Sequence, residues 1–484
     1  VKNYNKNFII FIIIFDALLN LLYNIYILIT GETNMILPEK FTERMKAMLK
    51  DEYADFYTAL TDSPIYSAIR INTLKPNAEN AVKSVTGALD GVPWCRNGFY
   101  ADKTLISGNH PYHCAGLFYF QEPSAMCAVS GLPVKCGDKI LDLCAAPGGK
   151  STQAAAKLGG TGLLVANEII KKRADILSEN IERTGVSNAI VTNETPQRLS
   201  EKYPSFFDKI IVDAPCSGEG MFRKEPQAVS EWSEEHTLSC GTRQKHILDC
   251  AVKMLKKGGL LVYSTCTFAP CENEVIAAYL TENHGMELLS IPELDMLSPG
   301  HTEWSGTDID MSFTRRIFPH KQKGEGHFTA LFRKVSGNIY DYPQKKSKLP
   351  DEVKLWKDFE SKFLNTSLDG DFVIFGENLY LKPFGIDIDK IKVIRCGLLL
   401  GQCKKNRFEP SHALALALNK DDFKNYENFD CDDERIKTYL TGNVISSGKS
   451  GWCAVCAGGY PIGWGKGSGG VLKNHYPKRL RLFS

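Results

Sequence analysis

The sequence is short of net charge: 58 Lys and Arg stand against 56 Asp and Glu, a formal +2 at pH 7 over 484 residues. A molecule-wide electropositive field is thereby excluded, and any nucleic-acid surface has to be a local patch. Repeats of fixed period are missing, which excludes a solenoid or a propeller. Neither phosphate-loop nor dinucleotide signature is present at Cys144–Lys150. A G-x-x-x-x-G-K-[ST] loop needs glycine where Cys144 stands, and the same loop, CAAPGGK, holds no G-x-G-x-x-G. The 15 cysteines are scattered along a long chain rather than crowded into a short one, which points to reduced thiols in the cytosol. Cys453 and Cys456 form a C-x-x-C, but no second pair or Cys/His cluster follows at zinc-binding spacing, so no metal is expected.

One long apolar run is present, Phe8 to Ile29, broken only by Asp16, Asn20 and Asn24 and long enough to span a bilayer. Taken literally it is an anchor or an uncleaved signal. The chain opens with Val1, however, while Met35 begins MILPEKFTERMKAML, the start of an amphipathic helix. The expectation is that residues 1–34 are a start-site artefact or a dispensable extension, that the protein is cytoplasmic, and that it has no stable membrane association.

A hydrophobic fraction of 43% over this length allows two or three domains. Helical spacing from Phe41 to Leu60, then the strand-like IYSAIRINTL, predicts an α+β module over 35–122. Between Ile140 and Phe332 the runs KILDL, TGLLVAN, KIIVDA and GGLLVYSTC alternate with helical stretches, the pattern of a doubly wound, mostly parallel α/β sheet, placed at 123–335. A polar stretch with a lysine run makes 336–350 a linker. The short strands DFVIF, LYLKP, KVIRCGLLLG and WCAV, with GGYPIGWGKGSGG, make 351–484 a small β-rich module.

Strand, loop and helix follow one another in KILDL, CAAPGGK and STQAAAK, where Gly148 and Gly149 let the backbone approach a ligand and Ser151 or Thr152 could cap the helix. A plain βα turn would look the same. Glu168 closes the next strand, placed to accept both ribose hydroxyls of an adenosine-containing ligand. Asp213 and Cys216 follow KIIV, and Cys266 follows GGLLVYST, so both thiols belong to the ligand-binding edge of one sheet. A lone cysteine is usually a small buried hydrophobe, and most of the fifteen are read that way.

CAAPGGKS, DAPCSGEG and YSTCT, in this order and with HPYHCAGLFYFQEPSAM before them, resemble the RNA 5-methylcytosine methyltransferases. GEGHFTALF at 324–332 and the tail GYPIGWGKGSGGVLKNHYPKRL extend the resemblance over nearly all of the chain from Met35, nearest to a bacterial branch acting on small-subunit ribosomal RNA. The resemblance implies a Rossmann-like class I methyltransferase fold, an N-terminal RNA-binding module, a C-terminal PUA-like RNA-binding module and S-adenosylmethionine as cofactor. It implies Cys266 as the nucleophile that adds to carbon 6 of cytosine, Cys216 as the thiol enabling product release, and Asp213 as a contact of the base near the reacting methyl. Cofactor contacts carry over to Cys144, Ala145, Ala146, Pro147, Gly148, Gly149, Lys150, Glu168 and Asp213. The family's acidic residue near adenine is less well matched: Asn193, Glu194 and Thr195 compete, the ungapped register falls on Thr195, and Glu194 is preferred. Small-subunit ribosomal RNA is the expected partner of a monomer. Lys473, His475, Tyr476, Lys478, Arg479 and Arg481 are candidates to touch RNA. Transfer RNA as substrate, a protein or small-molecule methyltransferase, and a non-catalytic RNA-binding factor are the alternatives.

Overall fold

The computed structural model describes residues 35–337, 340, 342, 349–383 and 385–482, so the apolar run Phe8–Ile29 and most of the linker lie outside the described residues. Among the described residues no helix is long and apolar enough to cross a membrane. The chain divides into two units, residues 1–64 and 65–484. In the first, α1 (Glu39–Leu49) buries Phe41, Met45 and Leu49, spaced four apart on one face, and α2 (Tyr53–Thr61) buries Phe56, Ala59 and Leu60.

The second unit opens with four antiparallel strands, β1 (Ala68–Ile71), β2 (Gly91–Val92), β3 (Cys95–Tyr100) and β4 (Phe118–Phe120), in the order β2-β3-β1-β4, with helix α3 (Ala78–Thr86) between the first two. A ten-stranded sheet follows. Its parallel heart is β5 (Lys139–Asp142), β6 (Leu163–Asn167), β7 (Ala189–Thr192), β8 (Phe207–Asp213) and β9 (Leu255–Thr265), ordered β9-β8-β5-β6-β7. After β5 come α4 (Gly149–Leu158), α5 (Lys171–Arg183) and α6 (Pro196–Lys202). After β8 come α7 (Glu234–Met254) and α8 (Glu274–His284). These strands are apolar without alternation because both faces are covered. Ile140, Leu164, Ile211 and Val262 pack on one side, and Leu141, Val165, Ile210 and Leu261 on the other. The chain steps outward from β5 through β6 to β7, then returns to place β8 on the other side of β5, so the crevice between β5 and β8 is the switch point where an open α/β sheet holds its ligand.

Beyond β9 the sheet turns antiparallel: β10 (Met286–Leu289) and β12 (Arg315–Ile317) both pair β13 (His327–Lys334), which pairs β9, and β11 (Ser298–Pro299) pairs β12. Residues 351–482 differ from a single β-rich module. After helix α9 (Val353–Phe363), the strands β14 (Asp371–Phe375), β15 (Asn378–Lys382), β17 (Leu398–Lys404) and β18 (Arg407–Pro410) form one sheet. After helices α10 (His412–Ala417) and α11 (Glu434–Leu440) have been interleaved, β19 (Tyr426–Phe429), β20 (Ile445–Ser446), β21 (Gly451–Ala457), β22 (Tyr460–Ser468) and β23 (Val471–Asn474) form another. β16 (Val393–Cys396) belongs to neither: it pairs β7 and closes the edge of the central sheet. The apolar run KVIRCGLLLG is thus two strands, split at Gly397. There φ is +72°, and a Cβ would lie 2.3 Å from the carbonyl oxygen of Leu381, so only glycine fits.

Candidate active site

The loop between β5 and α4 is built around Gly148, whose φ of +118° starts the helix without a side-chain cap. Ser151 and Thr152 do not cap it, contrary to expectation. The Ser151 hydroxyl donates to Asp142 Oδ2 at 2.6 Å, and that of Thr152 back to the Gly148 carbonyl at 2.8 Å. A fixed turn results. Gly149 packs so closely that a Cβ would meet Gln121 Nε2 at 3.2 Å, and its carbonyl accepts from the buried guanidinium of Arg70 on β1 at 3.0 Å. Arg70 also donates to Gln121 and Thr152, so the N-terminal sheet props the loop from behind. Arg173 and Asn180 of α5 donate to the carbonyls of Ala146 and Pro147. Cys144 is half-buried in the crevice, with its thiol pushed up by burial and by Asp142.

Three carboxyls converge on the crevice. Glu168 is buried at the end of β6, accepting from the Ile170 N–H at 2.9 Å and lying 3.4 Å from Arg173. Asp142 is fully buried; burial above all pushes its carboxyl up to about 7, and its Oδ1 has no hydrogen-bond partner. Asp213 forms a 2.8 Å ion pair with the buried Lys150 and accepts from the Ser264 hydroxyl at 2.8 Å. Burial works to raise it, but the Lys150 ammonium outweighs this together with the hydrogen bonds and holds the carboxyl below its usual range. Lys150 is correspondingly held up by Asp213 against its own burial. Glu194 faces elsewhere. Its carboxylate accepts from the Lys392 N–H, just before β16, at 2.7 Å, while Thr195 caps α6 through the Arg198 N–H and Asn193 donates to the carbonyls of Glu168 and Ile169.

Cys216 and Cys266 stand in direct contact, Sγ to Sγ 3.3 Å, at the carboxyl ends of neighbouring strands. The hydrogen bond with Cys266, then burial, raises the Cys216 thiol well above its usual value, so this group stays protonated. Three consecutive residues that the sequence reading passed over hold the two loops. Glu272 accepts from the Ser217 N–H at 3.0 Å, the Ser217 hydroxyl at 2.5 Å and Gln244 at 2.8 Å. Asn273 accepts from the Thr265 hydroxyl at 2.6 Å and donates to the Thr267 carbonyl at 2.9 Å. Glu274 pairs with Arg316, which donates to the Phe268 carbonyl at 3.0 Å. All three are fully buried, although Glu-Asn-Glu at a helix start reads as a solvated surface.

Residues 129–333 match the family described as 16S rRNA methyltransferase RsmB/F, and residues 37–123 the N-terminal domain of 16S rRNA methyltransferase RsmF. Residues 358–418 match the RsmF rRNA methyltransferase first C-terminal domain, and 426–482 the methyltransferase RsmF PUA domain. The chain is 34% identical over 471 residues to ribosomal RNA small subunit methyltransferase F of Vibrio vulnificus (strain YJ016), spanning 93% of this chain and 98% of that protein. It is 31% identical over 483 residues to the protein of the same name from Enterobacter sp. (strain 638), spanning 94% and 98%. The chain belongs to the ribosomal RNA small subunit methyltransferase F family.

Among solved structures it is similar to a methyltransferase homologue from Pyrococcus horikoshii, at 29% identity and a TM-score of 0.54, covering 61% of this chain and 95% of that one. The crystal structure of NSun6 from the same organism, at 24% identity and a TM-score of 0.54, covers 62% and 99% and shares the fold. The Rossmann-like methyltransferase fold and the PUA-type C-terminal domain expected from the sequence are those of the family. The crevice of this family member also fits a methyl-donor cofactor. A glycine turn admits backbone contact, a buried carboxylate ends β6, and Asp142 Oδ1 on β5 is a buried acceptor with no protein donor.

Two residues of β13 join the site unannounced by the sequence reading. Thr329 is in register with Ser264, which is in register with Asp213, so all three point to one face, and His327 lies two positions along that face. His327 Nε2 and Thr329 Oγ1 are buried without partners, and burial followed by Lys150 presses the imidazole down to about 3, leaving it neutral. The C-terminal tail differs from its reading. Tyr476 is buried against His412 and Tyr439, so it offers no face for stacking. Arg479 pairs with Glu179 of α5 at 2.7 Å, and the Arg481 side chain lies against Gly442. Lys473, His475 and Lys478 remain exposed. Cys453 and Cys456 are fully buried in β21, in two different apolar clusters.

Proposed function

We propose that this chain transfers a methyl group from S-adenosylmethionine to carbon 5 of a cytosine in small-subunit ribosomal RNA, with Cys266 as covalent nucleophile and Cys216 as the thiol that permits product release. The observation that carries the reading is the 3.3 Å contact of the two sulfurs beside the Lys150–Asp213 pair. The names of the relatives support the RNA class, and the match of residues 426–482 to a PUA domain supports RNA as the partner. The protein works as a cytoplasmic monomer on this reading.

Carbon 5 of cytosine is a poor nucleophile until a thiolate adds at carbon 6 and pushes electron density toward it. Cys266 supplies that thiolate, forming an S–C6 bond. The Cys144–Lys150 loop, Glu168 and Asp213 would hold S-adenosylmethionine, which when bound would supply an electrophilic methyl group. Asp213 is kept ionised by Lys150, so it accepts a hydrogen bond from the base amine or a protonated N3, and Lys150 offsets negative charge on the ring. After transfer the carbon-5 proton passes to a solvent base, the C–H electron pair re-forms the C5–C6 double bond, and the S–C6 electron pair returns to Cys266. Cys216, still a thiol, is placed to donate to that departing sulfur. Reaching both carbons requires the base to leave its stack, which is cheapest for unpaired nucleotides.

Bisulfite mapping of ribosomal and transfer RNA from cells with and without the gene tests the substrate: loss of one or more sites in small-subunit RNA is expected, and loss confined to transfer RNA would overturn it. For the mechanism, Cys216→Ala should accumulate a denaturation-resistant RNA adduct and Cys266→Ala none. The reverse pattern would exchange the roles.

A further inference from the structure

The contact between the two thiols is not made by the cysteines themselves. They sit on separate loops, 50 residues apart in sequence, and neither loop is a regular element that would fix a side chain to a fraction of an ångström. The residues on either side of them do it. Around Cys216, Gln244 holds the Pro215 carbonyl at 3.1 Å and Glu272 holds both the N–H and the hydroxyl of Ser217. Around Cys266, Asn273 holds Thr265 and Thr267, and the Thr267 hydroxyl meets that of Ser217 at 2.8 Å. Tyr263 closes the frame, donating to the Glu272 carbonyl at 2.6 Å and to Gln244 at 3.0 Å. One carboxyl stands at the centre of these bonds.

We infer that Glu272 is a positioning residue for the release step: it clamps the Cys216 loop against the Cys266 loop through Ser217 and Thr267 and so maintains the sulfur contact. The inference rests on the thiol-pair reading above. Its physical ground is that three neutral donors from two elements, the Cys216 loop and α7, converge on a carboxyl buried beside Glu219. Burying a carboxylate among neutral donors is costly, and an apolar residue of similar size would pack there without the penalty. What such a residue could not do is bridge two loops with directional bonds. When ionised, Glu272 also adds to the groups that keep the Cys216 thiol protonated, the state in which it can hand a proton to the sulfur of Cys266. Glu272 lies behind the sulfurs, bonded to Ser217, Gln244 and Tyr263, so its loss should spare cofactor binding.

The test is adduct trapping with S-adenosylmethionine and small-subunit RNA, using the full chain and taking Cys216→Ala as reference. Glu272→Ala should lower kcat about 100-fold, as expected for roughly 1 Å of drift between groups that must meet. The KM for S-adenosylmethionine should stay unchanged, and the denaturation-resistant adduct should build up as it does in Cys216→Ala. Glu272→Gln keeps an acceptor for Ser217 and should recover about tenfold of the lost rate. Ser217→Ala leaves the carboxyl and its other bonds in place, and should show the same adduct at a lower level even if Glu272→Ala fails to fold. Slower turnover with no adduct in any of these variants, while Cys216→Ala accumulates it, would overturn the positioning role. No adduct in Cys216→Ala would instead overturn the thiol-pair reading, and this inference with it.

Discussion

Asp142 and Glu272 are carboxyls that the fold keeps from ionising easily, both pushed up to about 7, mainly by burial, from ordinary values of 3.8 and 4.5. A folded value above the unfolded one means that between about pH 4 and 7 the folded chain binds protons that the unfolded chain has released. Stability therefore falls as pH rises through that window and levels off above it. Asp142→Asn should flatten this dependence by about 4 kcal/mol between pH 4 and 8, measured by urea unfolding at each pH, because Asn carries no proton to lose. Lys150→Met should act on chemistry instead. Without the ammonium, Asp213 loses what holds it ionised, and kcat should fall by about 10²–10³-fold in a radiolabelled methyl-transfer assay. Single residues were legible where they end apolar strands: Cys216, Cys266, Asp213, Glu168 and Lys150 all lie in or beside motifs that the parallel-sheet pattern places at one edge. Glu272, Asn273, Glu274 and His327 were not, because nothing in an amino-acid letter tells a buried polar side chain from a solvated one. The clue available was that Glu-Asn-Glu follows Cys266 within six to eight positions, close enough to be the scaffold of its loop.

Among the elements, the hairpin-like insertion carrying β12 is anchored by Arg316, buried with Glu274 at the start of α8. Arg316→Met would leave a carboxyl in the interior without its partner and should cost about 3–5 kcal/mol in denaturant unfolding, while Glu274→Gln combined with Arg316→Met should recover part of that loss. Strand order and direction in the central sheet follow from alternating apolar runs and helices, and those elements were visible. The division of KVIRCGLLLG into β16 and β17 was not. A continuous apolar run carries no mark of which sheet each half joins; only Gly397, with its left-handed backbone, signals the break. Substituting Gly397 by Ala should destabilise the chain by about 1–3 kcal/mol, from the strained φ and the close Leu381 carbonyl together.

For the molecule as a whole, the central sheet does not end with the methyltransferase region. β16 covers the edge of β7, Lys392 meets Glu194, and Glu182 of α5 is held by Arg395 and His412, whose bonds bring its carboxyl down to about 2 against the effect of burial. A chain cut after residue 350 would bare the apolar edge Ala189–Thr192 and strip Glu182 of two partners. It should elute from size-exclusion as aggregate, whereas the full chain elutes as one species. Neither the sharing of a strand nor the pair of sheets behind it was legible, since sequence patterns report what an element buries and not against which neighbour.

That borrowed strand also bears on how the protein is made. β7 leaves the ribosome about two hundred residues before β16 does, so during synthesis the wall beside the loop of Glu194 stands open until most of the polypeptide has emerged. A nascent methyltransferase region is therefore an unfinished fold until β16 has emerged to join it.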